Sequence, residues 1–216
     1  MSTIAILNQK GGVGKTSLAT NLAAAAHLRG RRTLLVDMDR QGSSLDWSSA
    51  RSDRSKLVGL AVVKADRALS AARVREIASG YELVILDGPP RLGDVTRSAA
   101  CAADVVIVPV QPGPFDMWAA AETLEVLDSA DAMRAELGRP KAVRLFVVNR
   151  APKGTVLARQ TPGVLEEHGD VAGVVYQRIV FPEASARGES VLTTEPKGPA
   201  SADIRRLYRA IERVCA

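Results

Sequence analysis

The sequence predicts an α/β fold in which a mostly parallel, twisted sheet carries helices on both faces. Short runs of adjacent apolar residues alternate with longer helical patterns along the chain. The apolar residues in these runs are continuous, which is typical of parallel strands buried on both faces. The first run also leads directly into a glycine-rich turn that opens a helix. Together these features indicate a doubly covered sheet with a ligand-binding turn at one edge.

Each predicted element follows from an apolar pattern and its flanking turn residues. Strands are predicted at residues 3–8, 32–37, 81–87, 104–110 and 143–149, with residues 172–176 as a candidate sixth strand. Helices are predicted at residues 17–29, 69–79, 95–103, 117–137 and 201–214. Segments 48–68 and 151–170 show no clear pattern, so no element is assigned there.

Polar residues stand where several predicted strands end. Asn8, Asp37, Asp87 and Asn149 each close an apolar run. Parallel strands place their carboxyl ends at one edge of the sheet, and open α/β sheets bind ligands at that edge. We therefore expect these side chains to converge on one site.

Length and composition are those of an ordinary globular protein. The 216 residues are 46% hydrophobic and 25% charged, and one domain spanning residues 1–216 is expected. No apolar run reaches the roughly 18–20 residues of a membrane span. Met1-Ser2-Thr3 lacks the basic start of a secretory signal. With only two cysteines, Cys101 and Cys215, a cytoplasmic location is expected.

Basic residues are unevenly distributed along the chain. The net charge is +5 and the isoelectric point is about 9.5. Residues 134–160 hold seven Lys/Arg and a single acid, whereas residues 81–133 hold nine acids and two basic residues. Such a basic segment favours a polyanionic partner such as nucleic acid, or is simply a solvated face.

The segment Gly11-Gly12-Val13-Gly14-Lys15-Thr16 is a phosphate-binding loop in sequence. Glycines let backbone amides wrap around phosphate oxygens, and the helix that follows directs its N-terminus at the anion. Lys15 is expected to reach the β and γ phosphates, and the Thr16 hydroxyl to coordinate Mg²⁺. The predicted nucleotide-binding residues of this loop are Gly11, Gly12, Val13, Gly14, Lys15, Thr16 and Ser17.

The loop departs from the strict pattern, because Gln9 stands where the first motif glycine belongs. Lys10 precedes the first glycine of this chain instead. The resulting Lys-Gly-Gly-Val-Gly-Lys-Thr resembles the deviant Walker A motif of the ParA/MinD ATPases, and the chain is most similar to the small ParA type used in plasmid partition. The resemblance implies a P-loop NTPase fold, ATP as the nucleotide, and an ATP-bound homodimer in which Lys10 reaches the partner's nucleotide.

Three aspartates are expected to complete the site. Asp87 follows four apolar residues, the Walker B pattern whose carboxylate holds Mg²⁺. The stretch from Asp37 to Gly42 resembles the family's D-x-D-P-Q-G motif, with Arg40 in place of the proline. By that resemblance Asp39 orients the attacking water and Asp37 assists the Mg²⁺ shell. The expected catalytic residues are thus Lys10, Lys15 and Asp39, and the expected metal-binding residues are Thr16, Asp37 and Asp87.

Further segments resemble the regions of the family that bind the adenine base and form the dimer interface. Asn149 is expected to contact adenine, with Phe181 and Pro182 near the base. Residues 109–116 resemble the family's P-V-x-P-x-P-x-D segment and are interpreted as part of a dimer interface. Trp118, just beyond, is either an anchor of that interface or a core residue.

The resemblance implies a DNA-segregation ATPase that binds non-specific DNA as an ATP dimer and is released when a ParB-type or adaptor protein stimulates hydrolysis. It would then be associated with the nucleoid. Positioning of another cargo, such as a carboxysome, a chemotaxis cluster or the division machinery, is the alternative, and a metabolic enzyme that shares the loop is a third. Membrane attachment is not expected, since the C-terminal helix follows directly from the fold. The candidate DNA-binding residues are Arg178, Arg187, Arg205, Arg206 and Arg209.

Overall fold

The computed structural model describes residues 1–91 and 93–215, within which seven parallel strands form one sheet in the order β3-β2-β4-β1-β5-β6-β7. The strands are β1 (Ser2–Ile6), β2 (Thr33–Asp37), β3 (Ala61–Lys64), β4 (Leu83–Asp87), β5 (Val105–Val110), β6 (Val143–Ala151) and β7 (Asp170–Tyr176). The helices are α1 (Lys15–His27), α2 (Ser43–Ser49), α3 (Ala71–Ile77), α4 (Asp94–Ala102), α5 (Pro114–Glu136), α6 (Val156–Glu166), α7 (Val180–Ser185), α8 (Val191–Thr194) and α9 (Pro199–Val214). The predicted fold class is confirmed.

Helices cover both faces of the sheet, and each face has its own apolar core. On one face α1, α2, α7, α8 and α9 pack against side chains such as Ile4, Leu35 and Ile85. On the other face α3, α4, α5 and α6 pack against the alternate strand residues, such as Leu34 and Phe146. All residues of β2, β4 and β5 are buried. Burial on both faces is the reason that these strands are continuous apolar runs in the sequence.

The predicted strands and helices are all present, with shifted ends. Helix α5 begins at Pro114, earlier than predicted, because proline at the first helical turn has a backbone angle that suits a helix start. Helix α1 begins at Lys15, directly after Gly14 in the left-handed region (φ 96°). The apolar side predicted for the C-terminal helix is buried in α9, through Ile204, Leu207, Tyr208 and Ile211.

Several elements in the chain were not predicted. Segment 48–68 contains β3, a four-residue edge strand, and segment 151–170 contains the whole of α6. Edge strand β3 has only partly buried residues, so its apolar signal is weak. Helix α6 includes Pro162, a residue that normally argues against a helix interior. Short helices α2, α7 and α8 are fixed by tertiary contacts that a local pattern does not reveal.

The topology places the glycine-rich turn at the centre of the sheet edge. The turn follows β1 in the chain, and β1 lies between β4 and β5 in the sheet. In the register of β2 and β4, Asp37 pairs with Asp87, so the two carboxylates lie on neighbouring strands. No helix among the described residues is long and apolar enough to cross a membrane.

Candidate functional site

The phosphate-binding loop joins β1 to α1 along a backbone path that needs glycine. Gly12 and Gly14 both have left-handed backbone angles, with φ of 75° and 96°. A side chain on Gly14 would also overlap the side-chain amide of Asn149. Val13, between them, is fully buried and anchors the loop in the core. The buried Val13 side chain therefore anchors the loop, while the backbone amides of the loop stay at the surface.

Neighbouring elements hold this loop from the side of β5 and β6. The Asn149 amide donates to the carbonyl of Val13 at 2.7 Å, and the Arg150 guanidinium donates to the carbonyl of Gly12 at 2.7 Å. Gln111 donates to the same Gly12 carbonyl at 3.0 Å. Three side chains at the carboxyl ends of β5 and β6 thus turn loop carbonyls away from the space where a phosphate would bind.

The ammonium group of Lys15 lies inside the loop. Only 7% of Lys15 is exposed, and its Nζ donates to the carbonyl of Lys10 at 3.1 Å. Burial lowers the pKa of Lys15, while the negative charges of Asp87 and Asp39 act in the opposite direction. A cation between two carboxylates and a ring of amides is suited to bind a phosphate that brings its own negative charge.

The other loop lysine, Lys10, is bound within its own chain. Its Nζ lies 2.8 Å from Oδ2 of Asp116, near the start of α5. The Asp116 side chain is buried, with 9% exposed, whereas 37% of the Lys10 side chain is exposed. The backbone N–H of Lys10 donates to Oδ1 of Asn8 at 2.7 Å, so Lys10 is fixed through both its backbone and its side chain.

Asp87 lies at the base of the loop and is fully buried. Its Oδ2 accepts a hydrogen bond from the Ser44 hydroxyl at 2.8 Å. Burial raises the pKa of Asp87 to about 7, and the neighbouring hydroxyl groups of Ser44 and Thr16 partly oppose that rise. Among the described residues its Oδ1 has no hydrogen-bond partner.

These features fit a Mg²⁺ ion. A buried carboxylate with an unpartnered oxygen beside a threonine hydroxyl offers the hard oxygen ligands that Mg²⁺ prefers. The described residues contain no group of three or more His, Cys, Asp or Glu that could hold a metal. Mg²⁺ in nucleotide sites needs only one or two protein ligands, because phosphates and water supply the others. Asp87 and Thr16 would hold the ion.

Asp37 accepts hydrogen bonds on both of its carboxylate oxygens. Its Oδ2 accepts from the backbone N–H groups of Ser44 and Leu45 at 2.8 and 3.0 Å, and its Oδ1 accepts from that of Asp39 at 3.1 Å. Asp37 thus caps the first turn of α2 and fixes the turn that carries Asp39. Oδ1 accepts only one of these bonds and keeps a second lone pair, so it is the oxygen that would serve the predicted part in the Mg²⁺ shell.

Asp39 is half-buried and faces the cleft above the loop. Its Oδ1 accepts from the N–H of Gln41 at 3.1 Å, and its carbonyl accepts from Gly42. Arg40, which stands where the resembling motif has proline, is exposed, and its carbonyl accepts from Lys64. The turn is therefore held by hydrogen bonds where a proline would have restricted it.

A cleft of about 1350 Å³ extends from the loop between α2 and α7. Its wall includes Trp47 on one side and Phe181 and Pro182 on the other, with Asn149 at its floor. The volume exceeds the roughly 300–1000 Å³ of most small-ligand pockets, so a nucleotide has room here. The cleft brings together the loop, Asp39 and the predicted base-binding residues.

Two residues of the site carry no recognisable signal in the sequence. Ser44 reaches Asp87 because α2 packs against β2, the neighbour of β4 in the sheet. Arg150, whose backbone is left-handed (φ 52°), reaches Gly12 across 138 positions of the chain. Trp118, for which two environments were predicted, is 64% exposed and is therefore not a core residue. Its ring packs edge-on against Phe115, with centroids 5.4 Å apart.

Comparison with known proteins identifies the family. The model of the CobQ/CobB/MinD/ParA nucleotide-binding domain, CbiA, matches residues 4–191. The chain belongs to this family. A Gloeobacter kilaueensis protein named maintenance of carboxysome distribution protein A is 34% identical, over 97% of this chain and 94% of the relative. The chromosome-partitioning ATPase Soj of Thermus thermophilus is 32% identical, over 96% and 94%.

Among solved structures, the ATP complex of a variant of Cyanothece McdA superimposes with a TM-score of 0.78 at 16% identity, covering 99% of this chain and 96% of the other. This likeness shows a shared fold. The predicted resemblance to the ParA/MinD ATPases is therefore confirmed at the level of family and fold.

The buried charge of Asp87 predicts a pH-dependent effect of Asp87→Asn. Because the pKa of Asp87 is raised in the folded chain, the proton that stabilises the fold is lost as the pH rises through about 7. Without Mg²⁺, Asp87→Asn should therefore increase the free energy of unfolding by roughly 1–3 kcal/mol at pH 8. At about pH 4, near the ordinary pKa of an aspartate, the gain should be much smaller, because the unfolded chain then also binds the proton.

Urea denaturation in the presence of a chelator measures both values. Asp94→Asn is the matched control, because the Asp94 side chain is 88% exposed. It should change stability little at either pH. An equal effect of Asp87→Asn at about pH 4 and about pH 8 would show that the buried charge is not the cause.

Proposed function

We propose that the chain is a nucleotide-switched ATPase whose ATP-bound form pairs as a homodimer and binds DNA non-specifically. Hydrolysis, stimulated by a ParB-type or adaptor protein, would then release it. The observation that carries this proposal is the convergence of two lysines, Lys10 and Lys15, with Asp39 and Asp87 on one glycine-rich loop. A nucleophilic side chain is not needed for this chemistry, because water attacks the terminal phosphate in line.

Each residue has a distinct role in the proposed reaction. Lys15 and the loop amides bind the β and γ phosphates and neutralise charge that develops during transfer. Asp39 orients the attacking water from the cleft side, at the turn that Asp37 fixes. Asn149 and the α7 residues Phe181 and Pro182 accommodate the adenine. Bound Mg²⁺ would supply further charge neutralisation, and Thr16 and Asp87 would hold it.

Lys10 is proposed to act on the nucleotide of the partner copy. A second cation at the terminal phosphate would do the work of an arginine finger. The exposed pair Phe115 and Trp118 lies next to Asp116, the residue that holds Lys10. An exposed aromatic pair beside the residue that binds Lys10 supports the interpretation of this segment as part of the dimer interface.

The candidate DNA-binding arginines differ in whether they form ion pairs within the chain. Arg178 and Arg206 both pair with the buried carboxylate of Asp203. Arg205 and Arg209 are exposed on α9 and, together with Arg29 after α1, line a notch of about 230 Å³. Arg187 is exposed beyond α7. The α9 notch is therefore the better candidate for contacts with phosphates, since Arg205 and Arg209 are exposed and form no ion pair among the described residues.

The C-terminal helix also favours DNA over a lipid surface as partner. The apolar side of α9 is already packed against the core. Membrane insertion of an amphipathic helix needs that side free. What α9 presents outward is basic, namely Arg205, Arg206, Arg209 and Arg213.

The relatives also support the alternative function, in which the chain positions a cargo other than DNA. A protein named for carboxysome distribution and one named for chromosome partitioning are similar to this chain to nearly the same degree, at 34% and 32% identity. Both would use the same nucleotide switch. The test is whether the ATP-bound chain recruits a partition protein and its DNA site or an adaptor on another body.

Removal of the Asp39 carboxylate should separate ATP binding from hydrolysis. Asp39→Ala should still bind Mg-ATP but hydrolyse it at least about 100-fold more slowly, because no carboxylate orients the water. ATP-bound dimers should accumulate, and light scattering after size exclusion would detect them. Asp46→Ala, in the same cleft but exposed on α2, should behave like the wild type. A monomeric Asp39→Ala protein in saturating ATP would contradict the assignment.

Loss of the α9 arginines should weaken DNA binding in a salt-dependent way. With Mg-ATP, Arg205→Ala/Arg209→Ala should bind duplex DNA at least about 10-fold more weakly at 0.1 M salt. The slope of log affinity against log salt should fall by about two, one for each lost phosphate contact. Fluorescence anisotropy with DNA of two unrelated sequences measures both quantities.

The matched control for this measurement is Arg73→Ala/Arg75→Ala. These arginines are exposed on α3, which covers the other face of the sheet. If this pair lowers the slope as much as the α9 pair does, the DNA surface does not lie at the notch. Binding that is independent of ATP would contradict the proposed switch itself.

A further inference from the structure

Lys64 lies at the end of the edge strand β3, next to the turn that carries Asp39. In the register of β2 and β3 it pairs with Asp37, and the N–H of Ala65 donates to the carbonyl of Asp37 at 2.8 Å. The Nζ of Lys64 donates to the carbonyl of Arg40 at 2.9 Å. Among the described residues no other donor reaches that carbonyl. Strand β3 therefore brings one ammonium group to the turn after β2.

Residues 39–42 form a β-turn. The N–H of Gly42 donates to the carbonyl of Asp39, three residues earlier, at 3.1 Å, which is the hydrogen bond that closes such a turn. Arg40 and Gln41 are therefore its two central residues. Proline is favoured at the first central position because its ring sets the backbone angle φ in advance. Arg40 at this position leaves the turn with one restraint fewer.

One peptide unit connects Lys64 to the carboxylate of Asp39. The carbonyl of Arg40 and the N–H of Gln41 belong to the same planar unit, so they rotate together. The carbonyl accepts from Lys64, and the N–H donates to Oδ1 of Asp39 at 3.1 Å. A rotation of this plane would break both hydrogen bonds. The ammonium of Lys64 therefore fixes the group that orients the Asp39 carboxylate.

The hydrogen bond from Lys64 is expected to affect orientation more than stability. Lys64 is exposed, and water can replace an exposed donor at little cost in the free energy of unfolding. A cationic donor at a carbonyl oxygen also polarises the peptide unit, which strengthens its N–H as a donor. Loss of the Lys64 ammonium would therefore weaken the bond from Gln41 to Asp39 while the fold stays intact.

We propose that Lys64 is a positioning residue for ATP hydrolysis: through the peptide unit between Arg40 and Gln41, it holds the Asp39 carboxylate in the direction that orients the attacking water. The inference rests on the proposed function, in which Asp39 orients that water. Lys64 is not among the residues that line the cleft. It therefore acts on the rate of hydrolysis, and the binding of ATP does not depend on it.

The first test compares Lys64→Ala with the wild type in single-turnover hydrolysis, with protein in excess over Mg-ATP. The rate should fall by about ten-fold, because the water is less well oriented. The affinity for a fluorescent, non-hydrolysable ATP analogue and the urea concentration at the midpoint of unfolding should both stay at their wild-type values. An unchanged rate, or a loss of affinity as large as the loss of rate, would overturn the proposal.

Lys56→Ala is the matched control. Lys56 is exposed in the segment before β3 and forms no ion pair among the described residues. Its removal changes the net charge by the same amount, and hydrolysis should continue at the wild-type rate. Equal losses of rate in Lys56→Ala and Lys64→Ala would show a general effect of surface charge, which contradicts a role specific to Lys64.

Arg40→Pro should replace the restraint that Lys64 provides. Within the part of the chain that the structure describes, the N–H of Arg40 donates no hydrogen bond, and its φ is not positive, so proline fits the position. In this background Lys64→Ala should slow hydrolysis by only about three-fold, because the ring now restrains the turn. The full loss of rate in the Arg40→Pro background would show that Lys64 does not act by restraining the turn.

A second cycle uses Asp39→Ala, and it also decides the question if Arg40→Pro does not fold. Because Lys64 acts through Asp39, Lys64→Ala should cause no further loss of rate in the Asp39→Ala background. A further loss there would mean that Lys64 acts by another route. Hydrolysis that Asp39→Ala does not slow would contradict the proposed function. A slow Asp39→Ala protein beside a fully active Lys64→Ala protein would contradict the positioning role alone.

Discussion

The nucleotide site depends on the close approach between the glycine-rich loop and the end of β6. Gly14 and the Asn149 amide lie so near that a methyl group on residue 14 would overlap the amide. The same amide holds the carbonyl of Val13. Because that carbonyl points toward β6, the loop amides are left to face the cleft. The anion-binding property of the loop therefore arises from a packing constraint between two distant segments, in addition to the glycines themselves.

The aspartates around the loop differ in their environments and in their roles. Asp87 is buried and has one unpartnered oxygen among the described residues, which suits a metal ligand. Asp37, its neighbour across the sheet, has both oxygens engaged by backbone N–H groups and fixes the turn that carries Asp39. Asp116 forms an ion pair with Lys10. Adjacent charges of one sign are tolerated because each is placed against a different donor.

Much of the fold and part of the site could be predicted from the sequence. The central strands were predictable because burial on both faces makes them continuous apolar runs. The loop was predictable because its glycines and Lys15 are adjacent in the chain. By contrast, β3 and α6 carry weak or interrupted patterns, and the capping role of Asp37 depends on where α2 begins. The Lys10–Asp116 pair spans 106 positions, so no local pattern indicates it. The metal, catalytic and DNA-binding assignments stay predictions, as does the single domain.

The central claim is that the loop binds the phosphates of ATP through Lys15. Equilibrium titration of the wild type and Lys15→Ala with a fluorescent ATP analogue and Mg²⁺ tests it most directly. The wild type should bind, and the variant should lose at least about 100-fold in affinity, since a buried charge-assisted contact to phosphate is removed. Equal affinity of the two proteins for the analogue would contradict the account.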